Sequence, residues 1–297
     1  MTVAISIDGL DKVYAKGLRR KSVAAVRGVS LEVAQGEAFG FVGPNGAGKT
    51  STIRILMGLA RPTRGVVRIF GQDAQDPQAR LGLGYVPENP YLYDYLTPME
   101  ILTMGLGLHR VKMDFPRAHC RKWLERLALE AVADTPIRSF SKGMTQRVAI
   151  AHALCIGPRL LILDEPLSGL DPVGRRDVVE LLSAYKKDGG TLFFTSHVLH
   201  DVERLADRFG LIHDGQIRSV RSPNELVGDE EVFLVRSAGA TPVADMHEDS
   251  AGRWAGEIPR TRLWQHLSDL QAAGHVLQEV RSTLSLEAAF LRVVGRD

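Results

Sequence analysis

The segment that most constrains this chain is Gly43–Ser51, "GPNGAGKTS", which follows the short apolar run "AFGFVG" and opens a stretch with helical spacing. It fits the pattern G-x-x-x-x-G-K-[ST] in the strand–loop–helix context of a phosphate-binding loop. Glycines let successive backbone N–H groups point inward, and the helix N-terminus adds partial positive charge. We expect Lys49 to reach the β- and γ-phosphates of a nucleotide, Thr50 to ligate Mg²⁺ and Ser51 to contact a further phosphate oxygen. The alternative, a flexible turn, explains the glycines but not the lysine and threonine.

Strand and helix patterns alternate along most of the chain. The run "RLLILDEP" is continuously apolar, as in a buried parallel strand, and "TLFFTSH" is a second such run. Three helical patterns fall between residues 88 and 157, and "RFGLIHDGQIRSV" predicts a hairpin that turns at Asp214 and Gly215. The alternation predicts an α/β fold with a mostly parallel sheet and helices on both faces.

The pattern restarts after about Ser222, which predicts a second domain. We place the domain boundaries at 1–221 and 222–297. The second part contains three strand patterns, the helical pattern "TRLWQHLSDLQAAG" and a terminal helical pattern "LEAAFLRVV", with a loop expected over Ala238–Ser250. These features predict a small α+β domain.

Composition excludes several function classes. The net charge of +2 gives no support for a nucleic-acid partner. The two cysteines, Cys120 and Cys155, have no paired spacing, which argues against a disulfide framework or a zinc site and fits a cytoplasmic protein. No run of ~18 apolar residues occurs, so a membrane role is expected only through a partner.

Two adjacent carboxylates, Asp164 and Glu165, end the apolar strand "LLIL". A buried strand end is a costly place for unpaired charge, whereas a metal ion and a polarised water make it favourable. We expect Asp164 to accept from the water shell of Mg²⁺, and Glu165 to act as general base or to orient the attacking water. Taken alone, Asp164 could equally be an ordinary helix N-cap.

Three further segments occur in a fixed order around this strand: "SFSKGMTQRVAIAHAL" before it, "SGLDP" after it, and "TSH", which ends in His197. With the phosphate loop, this set resembles the ATP-binding cassette family, the nucleotide-binding subunits of ABC transporters, over residues 1 to about 220. The resemblance implies a P-loop NTPase (RecA-like) core with an antiparallel β subdomain and a helical subdomain at about 88–157. It also implies an ATPase that uses ATP and Mg²⁺, works as a homodimer or a pair of ATPase subunits, and drives a polytopic permease from the inner face of the cell membrane.

Site roles can be transferred from the resemblance residue by residue. Tyr14 matches the aromatic residue that stacks on adenine, although a lone tyrosine is more often a packing residue. His197 would contact the γ-phosphate and help hold the attacking water. The nucleotide-binding loop comprises Gly43, Asn45, Gly46, Ala47, Gly48, Lys49, Thr50 and Ser51.

The resemblance also predicts contacts to a second subunit. Ser141 and Gly143, with Lys142 and Met144, would touch the γ-phosphate held by the partner, although Ser141 could equally be a plain N-cap. Asp171 would sit at the dimer interface.

Two departures from the family pattern stand out. The usual signature L-S-G-G-Q is replaced by Phe140–Met144, with Lys142 and Met144 in place of glycine and glutamine. Glu88 stands where the family commonly has glutamine; its carboxylate can still ligate Mg²⁺.

A single cassette with a C-terminal α+β tail is similar to bacterial ABC-2-type exporter ATPases. Tyr91, Tyr93 and Tyr95 could contact the permease or could equally pack the helical insert. A soluble cassette ATPase of DNA repair or translation is the alternative function; no heptad run interrupts residues 60–157, and only one cassette is present. A phosphate-loop GTPase or small-molecule kinase is disfavoured, because no N-K-x-D motif occurs and neither class explains "FSKGM" or "SGLDP".

Overall fold

The structure is a computed structural model of the chain. It describes residues 2–16, 21–223, 225, 232–250 and 252–282. The chain divides into two compact units, Met1–Val220 and Arg221–Asp297, which are described separately below. The assignment of an ATPase domain to 1–221 and an accessory domain to 222–297 stays a prediction.

The first unit is built from the following elements. Its strands within the described residues are β1 (Val3–Lys16), β2 (Lys21–Ala34), β3 (Ala38–Val42), β4 (Arg64–Ile69), β5 (Gln72–Asp73), β6 (Leu83–Val86), β7 (Leu160–Leu163), β8 (Thr191–Ser196), β9 (Arg208–His213) and β10 (Gln216–Arg221). Its helices there are α1 (Lys49–Leu56), α2 (Pro98–Leu108), α3 (Pro116–Arg126), α4 (Lys142–Cys155), α5 (Pro172–Lys187) and α6 (Leu199–Leu205).

Two sheets form the first unit. A four-stranded sheet has the order β2-β1-β4-β5, and β1 pairs antiparallel with both β2 and β4. A six-stranded sheet has the order β10-β9-β3-β8-β7-β6, in which β3 runs parallel to β8 and β9, and β7 runs parallel to β6 and β8. The predicted mostly parallel α/β sheet is confirmed.

The central strands are buried because their sequences are continuously apolar. All residues of β3, β7 and β8 are buried, and Phe39 stacks on Phe193 with ring centroids 6.0 Å apart. Because these strands are parallel, their carboxyl ends lie at one edge of the sheet. The glycine loop after β3, the carboxylates after β7 and His197 after β8 therefore meet there.

Three helices lie within the region predicted to be helical. The helices α2, α3 and α4 contact one another. A capping box starts α2: the Thr97 hydroxyl accepts from the Glu100 amide at 3.2 Å, and the Glu100 carboxylate accepts from the Thr97 amide at 2.8 Å. Within the part of the chain that the structure describes, no helix is long and apolar enough to cross a membrane.

The hairpin predicted at Asp214–Gly215 is present between β9 and β10. Both turn residues have positive φ, 47° and 79°, as a two-residue type I′ turn requires. The sequence analysis did not predict strand β6, because glycines interrupt "LGLGYV". In the structure a Cβ at Gly84 would lie 2.6 Å from the Ala153 carbonyl oxygen, so close packing requires glycine there.

Among the described residues, the second unit contains a four-stranded sheet and a 13-residue helix. Its described elements are β11 (Val232–Ala238), β12 (His247–Ser250), β13 (Arg253–Pro259), α7 (Arg260–Ala272) and β14 (Val276–Ser282). The sheet order is β12-β13-β11-β14 with antiparallel pairing, and a small core forms around Val235, Ile258, Leu263 and Leu270. The α+β class is confirmed.

One expectation for the second unit was wrong. The segment Ala238–Ser250 was expected to be a loop, but its last four residues form the edge strand β12. All four are exposed polar residues, "HEDS", so they lack the apolar alternation that marks a strand. The predicted terminal helix "LEAAFLRVV" lies outside the described residues.

Candidate nucleotide site

Close backbone packing holds the glycine loop between β3 and α1. A Cβ at Gly43 would collide with the carbonyl oxygen of Ile212, and one at Gly48 with that of Ala25. Gly46 and Gly48 also have φ values of 83° and 111°. Because larger residues would clash or be strained here, these glycines are a structural requirement of the loop.

The start of α1 is left open for an anion. Its N-cap is Gly48, which offers no side-chain hydrogen bond to the first-turn amides. Four N–H groups at a helix N-terminus lack intrahelical partners, and together with the helix dipole they attract negative charge. An uncapped first turn beside an open cavity is therefore suited to phosphate.

The loop borders an open cavity of about 390 Å³. The residues that line it are Ala25, Pro44, Asn45, Gly46, Ala47, Gly48, Lys49, Thr50, Ser51, Glu88 and Glu165. The cavity thus brings together seven of the eight predicted loop residues with Glu88 and Glu165. Tyr14 and Gly43 are not among the described residues that line it.

Lys49 is a buried cation that faces buried acid. Its side chain is 6% exposed, and its Nζ donates to the Gly43 carbonyl oxygen at 2.6 Å. The same Nζ lies 3.3 Å from Glu165 Oε1. Burying a charge is costly without a partner, and here one carboxylate and backbone carbonyls supply the compensation.

The two carboxylates at the end of β7 have different partners. Asp164 is 2% exposed and accepts from the Thr195 hydroxyl at 2.7 Å. The Thr195 oxygen in turn accepts from the Glu165 amide at 2.9 Å. Thr195, on the neighbouring strand β8, therefore holds both acidic positions, a role that the sequence analysis missed.

Glu165 and His197 form a direct pair. The Nδ1 of His197 lies 2.7 Å from Glu165 Oε2, and the His197 amide donates to the same oxygen at 3.3 Å. Since a carboxylate can only accept, this contact places the proton on Nδ1. Glu165 also has φ 49°, in the left-handed region that non-glycine residues avoid. Strained backbone of this kind is typical of functional sites.

The predicted signature residues lie at the start of α4. Ser141 is the N-cap, and its hydroxyl accepts from the Met144 amide at 3.3 Å. Carbons of Lys142 pass so near Gly169 that a Cβ at Gly169 would lie 2.9 Å from Cδ. Gly143 also packs on this turn, since a Cβ added at Gly143 would lie 3.1 Å from the Gly169 carbonyl oxygen. The signature helix and the "SGLDP" turn are thus adjacent within one chain.

Asp171 and Tyr14 have local partners. Asp171 caps α5, where its carboxylate accepts from the Gly174 amide at 3.0 Å. Lys12 Nζ lies 4.7 Å from the centroid of the Tyr14 ring, whose hydroxyl is buried without a hydrogen-bond partner among the described residues. Their predicted roles, at a dimer interface and on adenine, stay predictions.

Thr50, Glu88 and Asp164 supply oxygen donors that suit Mg²⁺. No group of three or more His, Cys, Asp or Glu side chains with metal-site geometry occurs among the described residues. Mg²⁺ is commonly held by one or two carboxylates together with substrate phosphates and waters rather than by an all-protein cage. A half-buried Thr50 beside the cavity and the buried Asp164 fit that kind of binding.

The fold and the site together define a P-loop NTPase: a glycine loop at a helix N-terminus, a buried lysine, and two carboxylates at the end of a parallel strand. The sequence profile of the family described as ABC transporter matches residues 26–168. An ABC transporter ATP-binding protein of Nostoc sp. is 36% identical over 97% of this chain and 89% of its own length. The chain therefore belongs to the family of ABC transporter ATP-binding proteins, and its activity is ATP hydrolysis coupled to transport.

Two further similarities refine this placement. Nod factor export ATP-binding protein I of Paraburkholderia xenovorans is 34% identical over 99% of this chain and 98% of its own length. The ATP-binding cassette MJ0796, solved as a dimer in a post-hydrolysis state with ADP and Pi, has a TM-score of 0.68 and 26% identity. That match covers 73% of this chain and 98% of the solved one. The predicted class, an ATPase of the ABC family, is confirmed, and the DNA-repair or translation alternative is not favoured.

Proposed function

We propose that this chain powers an exporter, in which ATP closes a pair of ATPase subunits and hydrolysis reopens it. The observation that carries the proposal is the pairing of buried Lys49 and Glu165, 3.3 Å apart, at the edge of the phosphate-loop cavity. The full-length similarity to a protein named for Nod factor export supports the export direction. The dimeric state of the similar cassette supports a pair of subunits.

In this proposal Lys49 and Glu165 exchange partners during the reaction. Without nucleotide, Glu165 Oε1 neutralises the Lys49 ammonium. When β- and γ-phosphates take over Lys49, Oε1 becomes available to accept a proton from the attacking water. His197, hydrogen-bonded to Oε2 at 2.7 Å, keeps the carboxylate oriented meanwhile.

Bound Mg²⁺ would neutralise charge on the β- and γ-phosphate oxygens. Thr50 would offer its hydroxyl to this ion, Asp164 would accept from its waters, and Glu88, which also lines the cavity, would add a carboxylate. The bond from Thr195 keeps Asp164 oriented.

The second half of each site is proposed to come from the partner subunit. Ser141 and Lys142 are exposed at the N-terminus of α4, so the amides there are accessible to a phosphate held by another chain. Gly143 and Met144 would complete that contact, and Asp171 would lie between the two subunits. Tyr14 would stack on adenine.

A polytopic permease is the proposed partner at the inner face of the cell membrane. Tyr91, Tyr93 and Tyr95 are 96%, 56% and 66% exposed, which does not fit the alternative that they pack the helical insert. Exposed aromatic clusters are typical of protein interfaces. We assign this cluster, next to Glu88, to the permease contact, and residues 222–297 to an accessory domain.

The first test is the loss of the loop cation. Lys49→Ala should lower ATP turnover at least ~100-fold, because no other buried cation is proposed to hold the γ-phosphate. Lys187→Ala, at the exposed end of α5, is the matched control and should hydrolyse ATP like the wild type. Normal turnover of Lys49→Ala would overturn the assignment, and equal turnover of GTP and ATP would contradict the adenine site.

The second test separates binding from cleavage. Glu165→Gln should bind ATP, lose hydrolysis and elute as a dimer in gel filtration with ATP, since the amide cannot accept the proton. Glu203→Gln on α6 is the control. A Glu165→Gln protein that stays monomeric with ATP while it still hydrolyses would contradict dimer closure and the role of Glu165. Co-purification from membranes should recover a polytopic protein, and substitution of Tyr91 by Ser should reduce that recovery.

A further inference from the structure

A polar network behind Glu165 and His197 has no part in the roles assigned above. Arg175, in the first turn of α5, places its Nη2 3.4 Å from Asp201 Oδ2 on α6. Asp201 is 4% exposed, whereas the Arg175 side chain is 35% exposed. Both residues, with Glu165 and His197, line one small cavity.

The network reaches His197 through the residue before it. Ser196 Oγ lies 3.5 Å from Asp201 Oδ2 and 3.0 Å from the Val198 carbonyl oxygen. Ser196 Oγ also accepts a hydrogen bond from the Val198 amide at 2.9 Å. One hydroxyl thus contacts the backbone that follows His197, and the Val198 carbonyl oxygen at 3.0 Å and Asp201 Oδ2 at 3.5 Å are alternative acceptors for its single proton.

The His197 side chain itself has little support. It is 50% exposed, and among the described residues its ring makes a polar contact to Glu165, at 2.7 Å. The direction of the ring toward Glu165 therefore depends on the backbone of Ser196–Val198. A shift of this loop would change the hydrogen bond that orients the proposed base.

We propose that Arg175 and Asp201 are a positioning pair, which holds Ser196 and thereby sets the His197 loop for its bond to Glu165. This inference rests on the function proposed for Glu165 and His197. Arg175 acts through Asp201 and Ser196 and does not touch the nucleotide.

The geometry does not fit a pair kept for stability. The contact is a single one at 3.4 Å rather than bidentate, and the buried Nε of Arg175 has no hydrogen-bond partner among the described residues. Burial raises the pKa of Asp201 even though Arg175, His200 and Ser196 act to lower it. Buried ion pairs are weak sources of stability, and their attested value is specificity of arrangement.

The test compares neighbouring arginines on one helix. Arg175→Met should lower kcat for ATP hydrolysis by ~10-fold and leave KM within about twofold, because a small misplacement of catalytic groups affects the reaction more than binding. Arg175→Lys should recover most of kcat. Arg176→Met is the control, since Arg176 forms ion pairs with Asp177 and Glu180 at the exposed surface of α5.

Asp201→Asn gives an independent measurement with minimal change of shape. It should lower kcat to the same extent as Arg175→Met, and the double variant should be no slower than either single one, because both act through one contact. If Arg175→Met does not fold, Asp201→Asn alone decides the result.

The inference is overturned if Asp201→Asn keeps wild-type kcat. It is also overturned if Arg175→Met changes KM and thermal stability together with kcat and Arg175→Lys does not restore activity, because that is the behaviour of a purely structural pair. Failure of the proposed function is a different result: Glu165→Gln would itself hydrolyse ATP at the wild-type rate.

Discussion

One buried polar cluster in each unit of this protein shows two different surroundings for buried polar groups. In the first unit, Lys49 and Glu165 are buried at the wall of an open cavity beside an uncapped helix. In the second unit, fully buried Ser237 bonds to His275 at 2.9 Å, and the other ring nitrogen of His275 lies 2.7 Å from the Thr241 carbonyl oxygen. Groups that satisfy one another hold a fold together, whereas charges that face a cavity retain the capacity to bind.

The known proteins that are similar to this chain differ in how much of it they cover. The solved cassette matches 73% of this chain, so about a quarter has no counterpart there. The relatives from Nostoc and Paraburkholderia extend over 97% and 99% of the chain. The solved cassette is therefore similar to most but not all of this chain, whereas the two relatives are similar to nearly all of it.

Alanine substitutions of two matched glycines, one in each unit, test whether ATP binding depends on the first unit alone. Gly43 and Gly256 both have a backbone carbonyl where a Cβ would stand, of Ile212 and Asp245 respectively. Gly43→Ala should weaken ATP binding by ~100-fold, because the loop must shift to relieve the clash. Gly256→Ala should lower the stability of the second unit by about 1–3 kcal/mol and leave ATP affinity unchanged.

Titration with a fluorescent ATP analogue and urea unfolding measure the two effects. Wild-type affinity in Gly43→Ala would contradict the loop assignment. An equal loss of affinity in Gly256→Ala would show that the two units do not divide the roles as described.

Features encoded by contiguous sequence could be predicted. The pattern around Gly43–Thr50 identified the loop, and the apolar run before Asp164 identified a buried parallel strand. Parallel strand order then explains why the carboxylates and His197 meet the loop at one edge. These features are local motifs joined by one topological rule.

Features that depend on distant residues meeting in space could not be predicted. Thr195 bridges Asp164 and Glu165 only because β7 and β8 are neighbours. The contact of Arg175 on α5 with Asp201 on α6 joins two residues that are 26 positions apart in the chain. The positive φ of Glu165 leaves no mark in sequence, since glutamate is not a residue that favours this region.

Two buried hydroxyls provide a smaller, sharper test of the comparison. Thr195→Val should reduce ATP hydrolysis by ~10-fold and cost about 1–3 kcal/mol of stability, because it removes a donor from buried Asp164. Ser237→Ala should cost about 1 kcal/mol and leave hydrolysis unchanged.

Steady-state hydrolysis and thermal unfolding separate the two results. Thr195→Ser keeps the hydroxyl and should hydrolyse ATP within about threefold of the wild type. A Thr195→Val protein with full activity would remove Thr195 from the site. Reduced hydrolysis in Ser237→Ala would mean that the second unit contributes to the reaction.

The smallest expected effect is on the pH dependence of the free energy of unfolding, and it comes from two buried histidines, one in each unit. Burial lowers the pKa of His152 on α4, and the charge of His109 lowers it further. Burial also lowers the pKa of His266 on α7, but Asp245 and Asp269 oppose that shift. A folded-state pKa below the unfolded value of about 6.5 means that the unfolded chain binds the proton first. The free energy of unfolding should therefore fall as pH drops through 6.5 toward the folded pKa, by at most ~1.4 kcal/mol per pH unit for His152.

Urea unfolding between pH 7.5 and 5.5 measures this dependence. His152→Gln should flatten the loss of stability on acidification, and His266→Gln should flatten it less because the two aspartates already offset its burial. The sign is fixed by the direction of both shifts: neither histidine stabilises the fold by becoming charged. A protein that gains stability as pH falls from 7.5, or a His152→Gln variant with an unchanged slope, would show that His152 is accessible to protons in the folded state. The first unit would then lack the neutral, buried histidine that the direction of this pKa shift assigns to it.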